Sequence, residues 1–402
     1  MSSSDGHSFG RLEELRQIVP TEQIEAQPHA SEGRGGAWAV EPATVDELVD
    51  VVKWANSRDA AVYTRHPRPR DAEVCKDRSR IYLRARRMKR VRDLDLVSGT
   101  ITVQSGLTMR ELHELLVEHS LTTGFATRPW DHEAVGAVLA SAMDSHWGPK
   151  FGSMEEHVVG LGIVLPDGTT TTTRIAPRKA VGPDFNQLFL GSRGKFGIVH
   201  EATLKVFPSS SRIVLSYGAK NLRSALDALS EAFERGLSPR AMEVLTPAPD
   251  RAWGRRRVGL TDDTPVLVLV EPWALDAGRR LGNVDSFFSE RLEKLEPPLG
   301  WDVHEGLLPQ PRAWTAPVVG CRWSRLLALA DDLGNDVPQG LWLVRVSRHG
   351  GWLSLADGVQ GERAEIVRET VREHIPSGHT PLLSFQTALK KELDVRDILN
   401  PS

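Results

Sequence analysis

A dense run of positive side chains between residues 65 and 92 is the feature of this sequence with the clearest chemical meaning. Twelve lysines and arginines lie there against three carboxylates, a local excess of nine positive charges. Guanidinium groups bind phosphate and carboxylate oxygens through paired hydrogen bonds. The run therefore predicts an anionic ligand or partner, or a solvated charged surface. A nucleic acid is the less favoured partner, because the aromatic residues and fold signature of nucleic-acid-binding modules do not accompany the charges.

The other reactive side chains show no spacing typical of a metal site. Cys75 and Cys321 are the only two cysteines, too few for a disulfide scaffold or a cysteine-rich metal centre. Six of the thirteen histidines are candidate metal ligands by residue type but lack the spacing of a ligand set, namely His113, His119, His132, His146, His157 and His200. We therefore predict no metal.

The elements that must position these residues alternate in the first half of the chain. Four short β-branched or alternating runs predict strands, at 38–40, 60–64, 81–83 and 100–104. Two amphipathic helices are each opened by a capping box, Thr44 with Glu47 and Thr108 with Glu111. Residues 124–152 are rich in Gly, Pro and Trp and predict a functional loop. An apolar run at 158–165 is followed in sequence by Pro-Asp-Gly, which predicts a hairpin turn.

The second half repeats a strand–helix–strand pattern. Strands are predicted at 212–217, 240–245, 266–271, around 321, at 341–346 and at 351–355, and helices at 222–235, 281–295, 323–333 and 362–375. Two such units predict a ferredoxin-like antiparallel sheet with helices on one face. The fold class is therefore α+β.

Composition excludes several other classes of protein. The 402 residues are 40% hydrophobic and 26% charged, with a formal charge of −3, which excludes a disordered or collagen-like chain. No apolar run approaches the roughly 18 residues of a membrane span. The first ten residues lack the features of a signal peptide. We expect a cytoplasmic protein without a membrane span.

Several motifs occur together in order. They are VEPATVDEL at 40–48, MKRV at 88–91, SGTITVQSGLT at 98–108, EEHVVGLGIVLPDG at 155–168, AVGPDFNQLFLGSRGKFGIVHEATLKV at 180–206 and LKKELDVRDILNP at 389–401. This set resembles the FAD-linked oxidases of the vanillyl-alcohol oxidase type, and among them the FAD-binding subunits of glycolate oxidase and the alkyldihydroxyacetonephosphate synthases. The resemblance is strong over 38–208 and weaker over 380–401.

The resemblance implies a fold, a cofactor and domain boundaries. We expect an N-terminal arm at 1–37, a two-subdomain FAD-binding domain of the p-cresol methylhydroxylase type at 38–208, and a ferredoxin-like cap or substrate domain at 209–402. The C-terminal segment should return to the FAD domain. The implied cofactor is non-covalent FAD, and the implied activity is oxidation of a small hydroxy-acid-like substrate. A related FAD-oxidase subunit is a further implied partner.

The pyrophosphate loop departs from the family pattern. In the family this loop follows the second strand and is rich in glycine, because its backbone must approach the phosphates closely. Here Arg65 fits the family's arginine, whereas His66, Pro67 and Arg68 stand at glycine positions. Two readings remain open. Arg65, Arg68 and Arg70 bind the pyrophosphate in place of backbone N–H groups, or the flavin site has decayed and the chain is an impaired subunit or scaffold.

The resemblance also assigns the remaining site residues. Two further flavin loops survive in outline, and with the first they make the cofactor set Arg65, His66, Pro67, Arg68, Trp130, Val135, Gly136, Ala137, Ala140, Ser141, Gly152, Gly191 and Ile198. His349 is the candidate catalytic base for the substrate hydroxyl. The alternative is that His349 is an exposed histidine in a turn, without a catalytic role. Arg322 and Arg348 are candidates for holding a substrate carboxylate.

Overall fold

The computed structural model describes most of the chain. The described ranges are 3–27, 36–64, 74–75, 78–125, 131–141, 148–152, 154–173, 183–209, 213–246, 266–273, 277–299, 319–335, 337–338, 341–347, 350–355, 361–374 and 381–401. They form three main sheets and the helices that pack on them.

The first sheet has four strands in the order β1-β2-β4-β3. Its strands are β1 (Ile24–Ala26), β2 (Ala37–Val40), β3 (Ala61–Tyr63) and β4 (Arg80–Leu83). The strand β4 pairs in parallel with both β2 and β3, and the crossover from β2 to β3 is helix α2 (Val45–Ser57). Helix α1 (Ser3–Arg16) precedes this sheet, and Leu15 and Val19 lie in the same hydrophobic core as α2. The N-terminal arm is therefore attached to the first sheet by buried apolar side chains.

The second sheet has five antiparallel strands in the order β5-β6-β10-β8-β9. They are β5 (Val91–Asp95), β6 (Thr100–Gln104), β8 (Val158–Val164), β9 (Thr170–Thr172) and β10 (Ile198–Lys205). A small pair joins β7 (Leu121–Thr122) to β11 (Phe207–Pro208). Four helices accompany this sheet, α3 (Met109–Glu118), α4 (Val135–Ser141), α5 (Gly148–Phe151) and α6 (Met154–His157), and α7 (Asn186–Phe189) precedes β10.

The third sheet has seven antiparallel strands and helices on one face. Its order is β15-β12-β14-β13-β17-β18-β16, for β12 (Val214–Ala219), β13 (Ala241–Leu245), β14 (Val266–Glu271), β15 (Glu293–Leu299), β16 (Val319–Arg322), β17 (Leu341–Ser347) and β18 (Gly350–Leu355). The helices are α8 (Leu222–Glu234), α9 (Ala277–Ser289), α10 (Trp323–Leu333) and α11 (Glu362–His374). Helix α12 (Pro381–Leu393) leads the chain back to the first half.

Strand alternation decides which face of the third sheet is covered. Tyr217, Val244 and Val268 point into the core beneath helices α8–α11. Successive side chains of a strand point to opposite faces. Glu243 and Leu269, which alternate with those core residues, therefore lie on the opposite face of the sheet. This face contacts the first half of the chain, because α5 packs against β13 and β17.

Two expectations about local structure need correction. The helix expected at 281–295 ends at Ser289, and Glu293–Leu299 is strand β15. It pairs only at the edge of the sheet, where Pro297 and Pro298 are tolerated because an edge strand need not donate every N–H group. The first expected capping box is incomplete: Thr44 accepts from the Glu47 N–H, but the Glu47 carboxylate accepts from Ala43. The second box, Thr108 with Glu111, is complete.

None of the helices in the described ranges has the length and apolar composition that crossing a membrane requires.

Candidate functional site

The predicted site residues divide into two groups. Arg65, His66, Pro67, Arg68, Trp130 and His349 lie outside the described residues, as do Arg70 and Arg348. The described ones fall on helix α4, on Gly152 and on the segment 191–198.

Helix α4 separates its predicted site residues into two faces. Val135 is 1% exposed and packs into the core of the second sheet, together with Val138 and Leu139. The opposite face carries only small side chains, half-buried or exposed, from Gly136, Ala137, Ala140 and Ser141. A face without long side chains allows a flat ligand to approach the helix closely. The structure thus brings four of the predicted cofactor residues onto one open surface, and it assigns Val135 to the core.

Gly136 is fixed by its close contact with Ser105. Its N–H donates to the Ser105 carbonyl at 2.9 Å, and a Cβ at Gly136 would lie 2.8 Å from the Ser105 Cβ. Ser105 is 1% exposed, and its Oγ has no hydrogen-bond partner among the described residues. A buried hydroxyl of this kind favours a polar ligand atom nearby, because burial without a partner costs free energy. Sequence reasoning did not single out Ser105, although it lies in the quoted SGTITVQSGLT motif.

The segment 191–197 is bound to the C-terminal end of helix α4. The Gly191 N–H donates to the Leu139 carbonyl at 3.0 Å, and the Arg193 N–H donates to the Ala140 carbonyl at 2.8 Å. Gly191, Arg193 and Gly194 all have left-handed backbone conformations, with φ of +69°, +55° and +72°. For arginine this conformation costs about 1 kcal/mol. These two predicted cofactor regions therefore form one continuous backbone surface.

The end of strand β3 meets the same segment through the C-terminal residues. A Cβ at Gly194 would lie 2.6 Å from Thr64 Oγ1 and 2.9 Å from Asn400 Nδ2. The Asn400 carboxamide accepts from the Thr64 N–H at 3.1 Å and donates to Thr64 Oγ1 at 3.2 Å and to the Gly194 carbonyl at 3.1 Å. Thr64 immediately precedes the expected pyrophosphate loop. Asn400 lies in the motif LKKELDVRDILNP at 389–401, but the sequence alone did not identify it as part of the site.

Ile198 and Gly152 have different surroundings. Ile198 begins β10, is 8% exposed and packs in the core of the first sheet. Gly152 follows α5 with φ of +87°, and the Glu156 carboxylate occupies the place that a Cβ would take. Its neighbour Phe151 contacts Phe207 and Trp273, with ring centroids 4.6 and 5.0 Å apart. The segment with Gly152 thus joins the two halves of the chain.

The face of the third sheet near this junction carries a buried ion pair. Arg240 Nη1 donates to Glu271 Oε1 at 2.7 Å, and both side chains are 2% exposed. The Arg240 guanidinium also lies 5.0 Å from the Trp273 ring centroid. Glu243, 1% exposed, lies nearby on β13. The junction between the two halves is therefore polar as well as aromatic.

One candidate for binding the substrate carboxylate can be placed. Arg322 ends β16, is exposed, and pairs in register with Gly350 of β18, the residue after His349.

Eight of the twelve basic residues in the run 65–92 lie among the described residues, and five of these eight are buried or ion-paired. Arg80 is fully buried. Four other members form ion pairs: Arg78 with Asp59, Arg84 with Glu25 and Glu41, Lys89 with Glu111, and Arg92 with Glu201. Only Arg86, Arg87 and Arg90 are exposed without an ion pair among the described residues. Among the described members of the run, five of eight thus have intramolecular contacts or are buried, which weakens the case for a polyanion-binding surface in that part.

His200 lies on β10 beside the Ser105 backbone. Its carbonyl accepts from the Ser105 N–H, and a Cβ at Gly162 would touch its ring. Burial lowers the pKa of His200 below 6.5; the nearby Glu201 carboxylate opposes this shift and Arg92 adds to it. The neutral imidazole is therefore the favoured form in the folded protein.

Comparison with known proteins identifies the domain around this site. Residues 37–174 match the family model of an FAD binding domain. D-lactate dehydrogenase [cytochrome] 1, mitochondrial, of Saccharomyces cerevisiae is 35% identical over 162 residues, which are 39% of this chain and 27% of that protein. The aligned regions span between about a quarter and a half of the length of the curated relatives that the chain matches.

Solved structures match the fold over nearly the whole chain. An alkyldihydroxyacetonephosphate synthase structure has a TM-score of 0.75 at 18% identity and covers 98% of this chain and 84% of its own. A crystal structure of p-cresol methylhydroxylase with substrate bound has a TM-score of 0.69 at 12% identity and covers 98% and 96%. These likenesses confirm the expected fold, and the family match confirms FAD as the cofactor of this domain type. The chain thus carries an FAD binding domain, and its relatives are FAD-linked oxidoreductases.

Proposed function

We propose that this protein is an FAD-linked oxidoreductase that acts on a small hydroxy acid or a related substrate. The observation that carries the proposal is the convergence of three chain regions, helix α4, the segment 191–197 and the end of β3, on one surface within and beside the matched FAD binding domain.

The described residues fit a flavin dinucleotide in two respects. The open face of α4 from Gly136 to Ser141 bears only small side chains. The buried Ser105 Oγ beneath it offers a hydroxyl without a partner among the described residues. FAD, when bound, would supply the hydride acceptor of the reaction. We propose that Gly136, Ala137, Ala140, Ser141 and Gly191 hold it, with Gly152 and Trp130 near it and the backbone of Ile198 in contact.

The chain's own residues would bind the substrate and move its proton. We propose that His349 takes the proton of the substrate hydroxyl, and that Arg322 and Arg348 hold the substrate carboxylate by charge-assisted hydrogen bonds. The register pairing of Arg322 with Gly350 supports placing these groups together. The relative named as a D-lactate dehydrogenase supports a 2-hydroxy acid as the substrate class, and a glycolate-oxidase-like preference is a narrower form of the same proposal. The division at 37/38 and 208/209 is proposed as the domain boundary.

The expected pyrophosphate loop supports a second candidate function. His66, Pro67 and Arg68 replace glycines there, and proline removes an N–H donor and restricts φ. Under this alternative the chain keeps the fold as an impaired subunit that pairs with an active FAD-oxidase relative. Under the first proposal, Arg65 and Arg68 bind the pyrophosphate directly.

Flavin content decides between the two. The purified protein is desalted, its visible flavin absorbance is measured, and its thermal stability is compared with and without added FAD. The first proposal predicts near-stoichiometric flavin, a stabilisation by FAD, and dye-linked oxidation of D-lactate or glycolate. A colourless protein that FAD does not stabilise would rule out the oxidoreductase. Arg68→Ala should lower flavin occupancy, and an unchanged occupancy would refute the arginine contact.

Two side proposals need their own measurements. Binding to heparin that falls steeply with salt would revive the polyanion-binding alternative. Cell fractionation tests the expected cytoplasmic location, since the yeast relative's name places that protein in mitochondria.

A further inference from the structure

The C-terminal segment contributes one side chain to the cofactor surface, the carboxamide of Asn400. Asn400 is 8% exposed, so its amide group needs hydrogen-bond partners within the protein. It finds three, and all belong to the two loops on either side of it: the Thr64 N–H, Thr64 Oγ1 and the Gly194 carbonyl. No bond of this carboxamide among the described residues goes to the C-terminal segment itself.

Other contacts already hold the C-terminal segment in place. The Val62 N–H donates to the Ile398 carbonyl, and the Asn400 N–H donates to the Val62 carbonyl at 2.7 Å. The Asp394 carboxylate accepts from the Ile398 and Leu399 N–H groups at 2.9 and 2.8 Å, and Leu399 is fully buried. The backbone and Asp394 therefore account for the position of the segment. The carboxamide of Asn400 is not needed for that purpose.

A second side chain near the C-terminus, Lys390, also donates to a backbone carbonyl of the segment 191–197. Lys390 of helix α12 donates to the Lys195 carbonyl at 3.1 Å and pairs with Asp394 at 2.6 Å. The segment 191–197 is thus bound from one side by the C-terminal residues. From the other side it is bound by the carbonyls of α4.

We infer that Asn400 is a positioning residue for the cofactor: it sets the distance between the end of β3 and the segment 191–197. This inference rests on the proposed binding of FAD. Thr64 and Gly194, which the Asn400 carboxamide joins, are already in close contact, because a Cβ at Gly194 would collide with Thr64 Oγ1. Since the family's first loop begins directly after Thr64, a shift there moves the start of the pyrophosphate loop relative to Gly194. Removing the carboxamide should therefore weaken FAD binding by changing the relative position of these two regions.

The choice of substitution follows from the backbone at this residue. Asn400 has φ of +46°, a left-handed conformation that glycine adopts without strain. Asn400→Gly therefore removes the carboxamide without forcing the backbone to change. Thr64→Val is the second variant, because it keeps the side-chain shape and removes the Oγ1 that bonds to Asn400. Val395→Ala, at an 84% exposed residue of the same segment, is the neutral control.

A stability control separates positioning from general destabilisation. Ile101→Val lies in the core of the second sheet, away from Asn400, and lowers stability by shortening one fully buried side chain. If Asn400 acts only by stabilising the fold, Ile101→Val should weaken FAD binding as much as Asn400→Gly does at a matched loss of melting temperature.

The test is a titration of the apoprotein with FAD, followed by flavin fluorescence and by the visible circular dichroism of the bound flavin. We expect Asn400→Gly to raise the Kd for FAD about tenfold and to change the flavin dichroism, while Val395→Ala and Ile101→Val leave both nearly unchanged. The Asn400→Gly/Thr64→Val double variant should bind FAD about as weakly as Asn400→Gly alone, because the hydrogen bond that Thr64→Val removes is one of the three that Asn400→Gly already removes. Unchanged Kd in Asn400→Gly and Thr64→Val, additive effects in the double variant, or an equal effect of Ile101→Val would each overturn the inference. If the unsubstituted protein binds no FAD, the proposed function fails with it; if that protein binds FAD and the variants bind equally well, only the role of Asn400 fails.

Discussion

Breaking the buried pair between Arg240 and Glu271 should destabilise the third sheet far more than removing both of its members. The two side chains are each 2% exposed, and Arg240 Nη1 lies 2.7 Å from Glu271 Oε1. Water therefore cannot replace the contact that either charge loses when the other residue is substituted. Removing one member of such a pair costs about 3–5 kcal/mol of the free energy of unfolding. Arg240→Met also removes the contact with the Trp273 ring, which contributes about 1 kcal/mol.

The double substitution Arg240→Met/Glu271→Leu removes both charges of this pair together. Because apolar side chains of similar volume replace a buried ion pair at little cost, the double variant should lose less stability than either single variant, and therefore at least about 2 kcal/mol less than their sum. Arg240→Lys is the intermediate case, since it keeps a positive charge but loses the planar contact with Trp273.

Urea unfolding of the unsubstituted protein, Arg240→Met, Glu271→Leu, the double variant and Arg240→Lys measures the effect, with the midpoint and the slope determined separately for each. A slope that stays constant across the set shows that stability changed and that the unfolded state did not. A loss below about 1 kcal/mol for Arg240→Met, or additive losses in the double variant, would refute the reasoning from burial.

Three further predictions concern the first half of the chain. Gly136→Ala should lower flavin occupancy and cost about 1–3 kcal/mol of stability, because its Cβ would lie 2.8 Å from the Ser105 Cβ; full occupancy would contradict the close-packing argument, and Gly282→Ala, where an added Cβ meets nothing within 4 Å, is the matched control. Thr108→Ala should cost about 1 kcal/mol in urea unfolding through loss of the capping box, whereas Val117→Ala at an exposed position of the same helix should cost less than about 0.5 kcal/mol. Because burial lowers the pKa of His200, the unfolded chain binds its proton more readily, so this contribution to stability is complete above about pH 6.5 and is lost as the pH falls below it. Melting temperatures across that range should fall less steeply in His200→Gln than in the unsubstituted protein, and equal slopes would contradict the assignment.

The local elements of this fold were accessible from the sequence because their causes are local. The Thr108–Glu111 capping box opens α3 as expected, and the apolar runs at 158–164 and 266–271 form β8 and β14. The helix predicted at 281–295 extended over the first three residues of the edge strand β15, because the spacing of leucines there also fits a helix. Pairing with β12 decided its conformation, and that partner is distant in sequence.

The predicted site was only partly decided by residue type. Gly136, Ala137, Ala140 and Ser141 share one open face, as a helical repeat places residues i, i+1, i+4 and i+5 together. The inward direction of Val135 follows from the same repeat.

The amino-acid sequence by itself determined the class of domain, the order of its elements and the unusual loop chemistry at residues 65–68. Hydrophobic periodicity, helix caps and motifs each depend on residues that are close in sequence, so they can be recognised without knowing the tertiary contacts. Only the tertiary structure decided that four described members of the basic run form ion pairs, and that Asn400 reaches Thr64 across 336 residues of chain. Contacts of that kind join segments that are distant in sequence, and neither partner carries a local signal of the other.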